Sequence, residues 1–125
     1  MSAATDRRRK AERRGRWAES LCLWSLRLRG YRILARGYRV AVGEIDILAR
    51  RGRTLVAIEV KARDDHASAV EAVTPRQRRR ITRAAAHFIS GRPSLATLTV
   101  RFDVMLAMPR RLPLHIRDAW REGDG

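Results

Sequence analysis

A pair of strand-like segments joined by a short turn near the middle of the chain limits the fold more than any other feature. The first segment covers residues 44–50 and the second covers residues 54–62, with Arg-Gly-Arg at 51–53 between them. Ile and Val recur at every second position in both segments, which is typical of strands that are at least half buried. Residues 31–42 form a third strand-like segment just upstream. The sequence therefore predicts three consecutive strands, the last two joined by a hairpin.

Helical patterns lie on both sides of these strands. Residues 16–29 carry apolar side chains at the spacing of one helix face, and Gly30 ends the segment. This stripe consists of Trp17, Leu21, Trp24 and Leu28. Glu19 lies on the opposite side, inside a second apolar stripe that includes Leu23 and Leu26. The pattern therefore predicts a first helix with an acid among its leucines.

A second helix is predicted after a polar loop over residues 63–73. Thr74 is a favourable N-cap, and Pro75 suits the first helical position. The helical pattern continues to about Ser90, and Gly91 follows it. The inward side chains are predicted to be Ile81, Ala84, Ala85 and Phe88. The basic side chains, predicted to be largely outward, are Arg76, Arg79, Arg80 and Arg83.

Two further strands are predicted near the C-terminus. Residues 96–107 alternate strictly, with Leu98, Val100, Phe102, Val104 and Leu106 on one face. Residues 112–120 are predicted to add an edge strand, with Trp120 packed at its end. A strand–helix–strand crossover usually joins parallel neighbours. We therefore expect an α/β (α+β) protein with an αβββαβ core, in which helices flank a central mixed sheet.

The length of the chain allows one domain with a single modest core, which we place at residues 15–120. Residues 1–14 are polar and basic and are predicted to form a flexible N-terminal arm, and residues 121–125 a short tail. The arm has two interpretations, a solvated terminus or a segment that contacts phosphates.

The charge balance points to a polyanionic partner. Lys and Arg number 28 against 13 Asp and Glu, a formal net charge of +15, and nearly all of the positive charge is arginine. The guanidinium group suits bidentate contacts with phosphate. A genome that favours arginine codons would explain part of the excess but not the scarcity of acids. Nucleic acid, either DNA or RNA, is therefore the expected partner.

A membrane is not expected to be a partner. The apolar run over residues 21–28 is too short to span a bilayer and is interrupted by Arg27. No signal peptide is recognisable, so the cytoplasm is the expected location. The single cysteine, Cys22, excludes an internal disulfide and a cysteine-based zinc site.

The scarce acids concentrate in the predicted hairpin. Alternation places Glu44 and Asp46 on one face of their strand, with Ile45 on the other, and places Glu59 and Lys61 together on the next strand. Ionised carboxylates within a buried strand are costly unless they are paired or hold a metal. Two or three carboxylates suit Mg²⁺ or Mn²⁺, and a lysine beside them suits positioning of a water or a phosphate. The alternative is a salt-bridged sheet face, in which Glu59 pairs with Lys61 or with a cross-strand arginine.

Three stretches of this sequence closely resemble the YraN-like family. They are residues 43–49 (GEIDILA), residues 55–63 (LVAIEVKAR) and residues 101–104 (RFDV). The members of this family are small uncharacterised bacterial proteins with a predicted endonuclease fold similar to archaeal Holliday junction resolvases. The resemblance covers nearly the whole chain and implies a restriction-endonuclease-like fold. Related resolvases act as dimers, although no interface signature is visible in this sequence.

The resemblance also implies site residues of the P-D…(D/E)-x-K type. Asp46 matches the strand aspartate, Glu59 and Lys61 match the E-x-K pair, and Glu19 matches a helix glutamate. Ile45 stands where proline gives the signature its name, which weakens the signature more than the chemistry. The implied catalytic set is Asp46, Glu59, Lys61 and Glu19. The implied metal ligands are Asp46 and Glu59, with Glu44 or Glu19 completing the shell. Glu44 also has the alternative role of partner to an arginine.

The expected nucleic-acid contacts are Arg63, Arg76, Gln77, Arg79, Arg80 and Arg83. Gln77 either faces the site or serves as a polar residue in the first turn of its helix. Asp103 is predicted to form a structural salt bridge with Arg101. Two functions remain open, a divalent-metal-dependent endonuclease acting on DNA and a nuclease-fold binding module with little or no hydrolysis. A basic RNA-associated structural protein is a third option, which gives no reason for acids buried in strands.

Overall fold

The computed structural model of the protein describes the backbone of residues 3–62 and 66–122 and the side chains of residues 15–62 and 68–122. The helices are α1 (Ala3–Leu28), α2 (His66–Glu71) and α3 (Pro75–Ser90), with a 3-10 helix at Pro93–Leu95. The strands are β1 (Arg32–Val40), β2 (Gly43–Arg51), β3 (Thr54–Ala62), β4 (Thr99–Ala107) and β5 (Leu114–Trp120). This order confirms the predicted αβββαβ core and the added edge strand.

The structure departs most from the predicted elements at two places. Helix α1 begins at Ala3 and not at residue 16, so the backbone of residues 3–14, expected to form an arm, is helical. Most of these residues are Ala, Arg, Lys or Glu, which are strong helix formers. The predicted loop over residues 63–73 contains α2, because Ala69 and Val73 are buried in the core and hold this segment against the domain.

The five strands form one mixed sheet in the order β1-β2-β3-β4-β5. Strands β3 and β4 are parallel, and the other neighbouring pairs are antiparallel. The crossover that carries α3 therefore joins the parallel pair, as predicted. Helix α3 begins with a capping box at Thr74 and ends at Gly91.

Each face of the sheet carries its own core. On the α3 side, the side chains of the sheet include Leu48, Ala57, Phe102, Val104 and Leu106, packed with Ile81, Ala84, Ala85 and Phe88. On the α1 side, they include Ile47, Val56, Ile58 and Met105, packed with Ala18, Cys22, Leu23 and Leu26. These sets confirm the predicted faces of α3 and β4. The sheet is therefore covered on both sides, which explains the apolar character of its central strands.

Helix α1 turns only one of its two apolar stripes toward the sheet. The stripe that contains Leu23 and Leu26 is buried, together with the small residues Ala18 and Cys22. The other stripe faces solvent, where Trp17, Trp24 and Leu28 are exposed and Leu21 is half-buried. Within the part of the chain that is described, neither α1 nor any other helix is long and apolar enough to cross a membrane.

The sheet opens between its second and third strands. Strand β2 pairs with β3 only as far as Ile47, opposite Ile58. Residues 43–45 of β2 pair with β1 alone, and residues 59–62 of β3 pair with β4 alone. We call this opening the strand fork. The regular alternation predicted for β2 fails there, because Ile45 packs in the same core as Leu48 instead of the opposite one.

Helix α3 passes very close to one arm of the strand fork. A Cβ atom added at Gly43 would lie 1.8 Å from the carbonyl oxygen of Arg80. Only glycine leaves room for this contact between the helix backbone and the first residue of β2. The basic helix α3 is thus fixed beside the strand fork.

Candidate active site

Asp46 occupies the strand fork and bonds across it. Its Oδ2 atom accepts a hydrogen bond from the backbone N–H of Val60 at 2.9 Å. This N–H lies beyond Ile58, where β2 no longer pairs with β3. The Asp46 carboxylate therefore accepts the hydrogen bond that a backbone carbonyl of a neighbouring strand would otherwise accept, and this bond fixes the position of the Asp46 side chain.

Glu59 and Lys61 lie on the other arm of the strand fork. The Lys61 Nζ atom is 3.4 Å from Oε1 of Glu59, and both side chains are about 85% buried, with 14% and 15% of their surfaces exposed. Alternation places both on the face opposite that of Val60, whose side chain packs toward the α1 core. The ion pair weighed from the sequence is thus present, and it lies beside Asp46.

The Asp46 and Glu59 carboxyls interact directly. Burial raises the pKa of Glu59 to about 7, and the negative charge of Asp46 adds to this effect while Lys61 opposes it. Burial also raises the pKa of Asp46, although the N–H of Val60 opposes the rise. The two side chains are close enough for protonated Glu59 to donate a hydrogen bond to Asp46. Two largely buried carboxyls this close together form a site where a divalent cation could offset their negative charge.

Glu19 shares a cleft with Asp46. The cleft has a volume of about 330 Å³ and lies between the α1 residues Gly15, Arg16, Ala18 and Glu19 and the strand residues Asp46, Val60 and Ala62. The Glu19 carboxylate also pairs with Arg36 on β1, with Oε1 at 3.4 Å from Nε. Its charge contributes to the raised pKa of Asp46. Glu19 therefore lies at the cleft, but its carboxylate is already paired with Arg36.

Glu44 lies apart from this group. Its Oε2 atom is 3.2 Å from Nε of Arg39 on the neighbouring strand, and both side chains are exposed. This matches the alternative role of partner to an arginine. Among the described residues, no three His, Cys, Asp or Glu side chains are grouped so that they could hold a metal ion together. The strand fork thus offers two carboxylates, a number that suits Mg²⁺, which usually keeps several waters.

Cys22 is buried in the α1-side core and is inert. Burial raises the pKa of its thiol to about 12, and the negative charges of Asp46 and Glu19 contribute to the rise. A thiol that stays protonated is a poor nucleophile and a poor metal ligand.

The residues predicted to contact nucleic acid divide into three groups. Arg76, Arg79 and Arg83 are exposed on α3, and Arg80 is half-buried. Gln77 belongs to the capping box, since its Oε1 accepts from the N–H of Thr74 at 3.0 Å and its own N–H donates to Thr74 Oγ1 at 3.2 Å. Arg63 lies outside the described residues.

Sequence reasoning did not identify two of the contacts at the site, and it did not name Arg39 as the arginine that pairs with Glu44. The N–H of Val60 bonds Asp46, and Arg36 pairs with Glu19, but both contacts depend on strand register and helix docking. The Arg39–Glu44 pair was accessible from the sequence. A tight turn after Val40 places these two residues opposite one another in a hairpin.

A five-stranded mixed sheet between helices, with two acids and a lysine at a fork in its strands, is consistent with a restriction-endonuclease-like α+β core. Residues 18–107 match the model of the Uncharacterised protein family UPF0102. The chain is 52% identical over 111 residues to a UPF0102 protein of Parvibaculum lavamentivorans. This match covers 89% of this chain and 84% of the relative. It is also 52% identical over 120 residues to a UPF0102 protein of Maricaulis maris, and this match covers 96% of this chain and 94% of the relative. This chain belongs to the UPF0102 family, which is the YraN-like family that the sequence resembles.

Proposed function

We propose that this protein is a divalent-metal-dependent endonuclease that hydrolyses phosphodiester bonds in DNA. The observation that carries the proposal is the placement of Asp46, held by the Val60 N–H, and of the largely buried Glu59–Lys61 pair on the two arms of the strand fork. Burial of two acids in a chain of net charge +15 is costly without a compensating role. Asp46 lines the open cleft and Lys61 pairs with Glu59 beside it, so acids and a lysine adjoin a space that a phosphodiester could enter.

The two carboxylates fit Mg²⁺ or Mn²⁺ as the expected ion. Both are hard oxygen donors, and the pKa of each is raised, first by burial and then by a neighbouring negative charge, Glu19 for Asp46 and Asp46 for Glu59. Glu19 is the further acid within reach of the cleft. When bound, a divalent cation would polarise a water molecule and offset the charge on the scissile phosphate.

The residues of the chain then have separate tasks. Asp46 and Glu59 would hold the ion, and the Val60 N–H keeps Asp46 oriented. Lys61, held beside Glu59, would position the attacking water or contact a phosphate oxygen. Attack of water on phosphorus forms one P–O bond and breaks the bond to the 3′ oxygen. The products are a 5′-phosphate and a 3′-hydroxyl, as the resemblance to resolvases implies.

The arginines would hold the DNA backbone across the strand fork. Helix α3 exposes Arg76, Arg79 and Arg83, and its contact at Gly43 fixes it beside β2. Arginine side chains neutralise phosphates and release counterions, so the proposed binding weakens as salt rises. The preference for DNA over RNA and for branched substrates follows from the resemblance alone.

A second candidate is a binding module with the same fold and little or no hydrolysis. The existing ion pairs of Glu59 with Lys61 and of Glu19 with Arg36 favour this candidate, because each already reduces the charge of a candidate ligand. Fold does not decide between the two.

A nicking assay separates the two candidates. Supercoiled plasmid and a synthetic four-way junction are incubated with the protein in Mg²⁺ or Mn²⁺, beside Asp46→Asn, Lys61→Ala and the matched control Glu44→Gln. We expect cleavage by the wild type and by Glu44→Gln, and no cleavage by the other two, with DNA binding retained by all four. Binding without metal-dependent cleavage on any substrate would support the module and overturn the enzyme.

A further inference from the structure

The solvent-facing stripe of α1 is unusual in a protein this polar. Trp17, Trp24 and Leu28 are 45%, 63% and 83% exposed, while other side chains of the same helix are buried in the core. Single exposed apolar residues are ordinary, but these three follow one helix face at positions i, i+7 and i+11. Two tryptophans on one exposed face indicate a surface that binds a partner.

Positive charge is interleaved with this stripe. The Arg27 guanidinium carbon lies 5.7 Å from the centre of the Trp24 ring, within the range of a cation–π contact. Arg16, next to Trp17, is exposed and lines the cleft that contains Asp46. The stripe is therefore a row of aromatic faces flanked by cations, and one end of it adjoins the candidate active site.

Charge decides which partner fits. A second copy of the chain would bring another +15 charge and another row of arginines against this surface. A nucleic acid strand supplies phosphates to the arginines and aromatic bases to the tryptophans. In a duplex the base faces are stacked inside, so only unpaired bases can reach the indole rings.

We propose that the α1 stripe binds the unpaired bases of single-stranded or branched nucleic acid by stacking on Trp17 and Trp24. Seven helical residues advance about 10 Å, close to the length of three stacked bases. The two indoles thus bracket a short run of bases, with Arg16 and Arg27 beside the backbone. This inference rests on the proposed function, since it leads the strand toward the cleft at Asp46.

Binding of labelled oligodeoxynucleotides in EDTA tests the stripe without cleavage. The ligands are a single strand, an abasic strand of equal length and a blunt duplex. Trp17→Ala/Trp24→Ala is compared with Trp17→Phe/Trp24→Phe, which keeps aromatic faces, and with Leu28→Ala, which removes an exposed apolar group that cannot stack. We expect the alanine pair to bind the single strand about tenfold or more weakly, and the abasic strand with little change. The phenylalanine pair should recover most of the affinity, and Leu28→Ala should match the wild type.

Tryptophan fluorescence gives a second readout in the wild type. Stacking should quench the emission of Trp17 and Trp24 when the single strand is added, over a constant background from the buried Trp120. The abasic strand should quench much less. Thermal unfolding of each variant checks that substitution of these exposed side chains leaves the fold intact.

Four outcomes would overturn the stacking role. One is an equal loss of affinity for the single and the abasic strand. The second is unchanged single-strand binding by the alanine pair. The third is a wild-type dimer that the alanine pair converts to monomer in sedimentation velocity, which would make the stripe a contact between copies. The fourth is stripe-dependent binding to phosphatidylglycerol vesicles with no effect on nucleic acid.

The two proposals fail in distinguishable ways. If the wild type cleaves plasmid DNA and the alanine pair binds the single strand normally, only the stacking role fails. If the wild type binds the single strand through its tryptophans but cleaves nothing, only the hydrolytic function fails.

Discussion

The Asp46 carboxylate accepts a hydrogen bond from the Val60 backbone N–H at 2.9 Å, across the gap where β2 and β3 stop pairing. The Asp46 side chain thus satisfies a backbone N–H of β3 that β2 does not reach. The bond holds the Asp46 carboxyl beside that of Glu59. The end of β2–β3 pairing therefore also brings the two acids together.

Replacement of Asp46 by asparagine should lower the pKa of Glu59. Asparagine still offers an oxygen to the Val60 N–H, but it removes the negative charge that disfavours ionisation of Glu59. Because burial is the larger cause of the shift, the pKa should fall from about 7 yet stay above the ordinary value near 4.5. Carboxyl NMR titration of labelled glutamate measures it. An unchanged midpoint would show that the two carboxyls do not interact.

The metal-free protein should lose stability as the pH rises toward neutral. The folded-state pKa of Glu59 lies above its ordinary value of 4.5, so the folded chain binds this proton more tightly than the unfolded chain does. The resulting stabilisation is complete below about pH 4.5 and is lost as pH rises through about 7. It amounts to at most about 3 kcal/mol, and Asp46 contributes with the same sign.

Urea unfolding of wild type and Glu59→Gln across this pH range measures the effect. The difference in unfolding free energy between the two should change with pH, and added Mn²⁺ should restore the wild type at neutral pH. A difference that is flat with pH would contradict the raised pKa.

Gly43→Ala should destabilise the protein by about 1–3 kcal/mol. The new Cβ would lie 1.8 Å from the carbonyl oxygen of Arg80, so α3 must move away from β2. Gly91→Ala is the control, because it has no atom within 4 Å and a negative φ of −88°. Chemical denaturation compares the two. Equal stability of both variants would show that α3 does not press on β2 at this point.

Asp103→Asn should be among the most damaging single substitutions. Asp103 is fully buried and accepts bonds from Arg101 at 2.8 Å, from His115 at 2.6 Å and from the N–H of Asp118 at 2.9 Å. Removal of its charge leaves the buried partners without their counterion, at a cost of about 3 kcal/mol or more. This salt bridge with Arg101 confirms the structural role predicted for Asp103.

The Asp103 carboxyl should also make the stability of the protein sensitive to acid. Although burial raises the pKa of Asp103, bonds from His115 and Arg101 lower it below its ordinary value. Its contribution is therefore present at neutral pH and is lost as pH falls through that lowered pKa. Asp118→Asn is the control, since Asp118 is exposed and its φ of 52° suits asparagine. If both variants unfold at the same pH and denaturant, the buried network does not stabilise the fold.

Local pattern was sufficient to predict most of the fold. Alternation identified β4, the Thr74-Pro75 pair identified the start of α3, and the turn near Gly52 identified the hairpin. Each of these signals acts within a few residues and needs no knowledge of the neighbouring elements. The hairpin and alternation together predicted that Asp46 lies near Glu59, but the alternation fails at Ile45, so the two side chains approach one another at the strand fork and not on one regular sheet face.

The remaining features depend on how elements meet. Either apolar stripe of α1 could have faced the sheet. Only the packing of the helix shows that the stripe with the small residues Ala18 and Cys22 does so. The strand fork depends on where pairing of β2 with β3 ends, which also changed the face of Ile45. The pairing of Glu19 with Arg36 requires both the docking of α1 and the position of β1. These are tertiary relationships that no local pattern encodes.

Calorimetric titration of Mn²⁺ at neutral pH tests most directly whether Asp46 and Glu59 form a cation site. Wild type and the exposed-acid control Glu44→Gln should each bind one ion with the same affinity, and Asp46→Asn/Glu59→Gln should show no binding heat. Identical titrations of the wild type and the double variant would contradict the metal site at the strand fork.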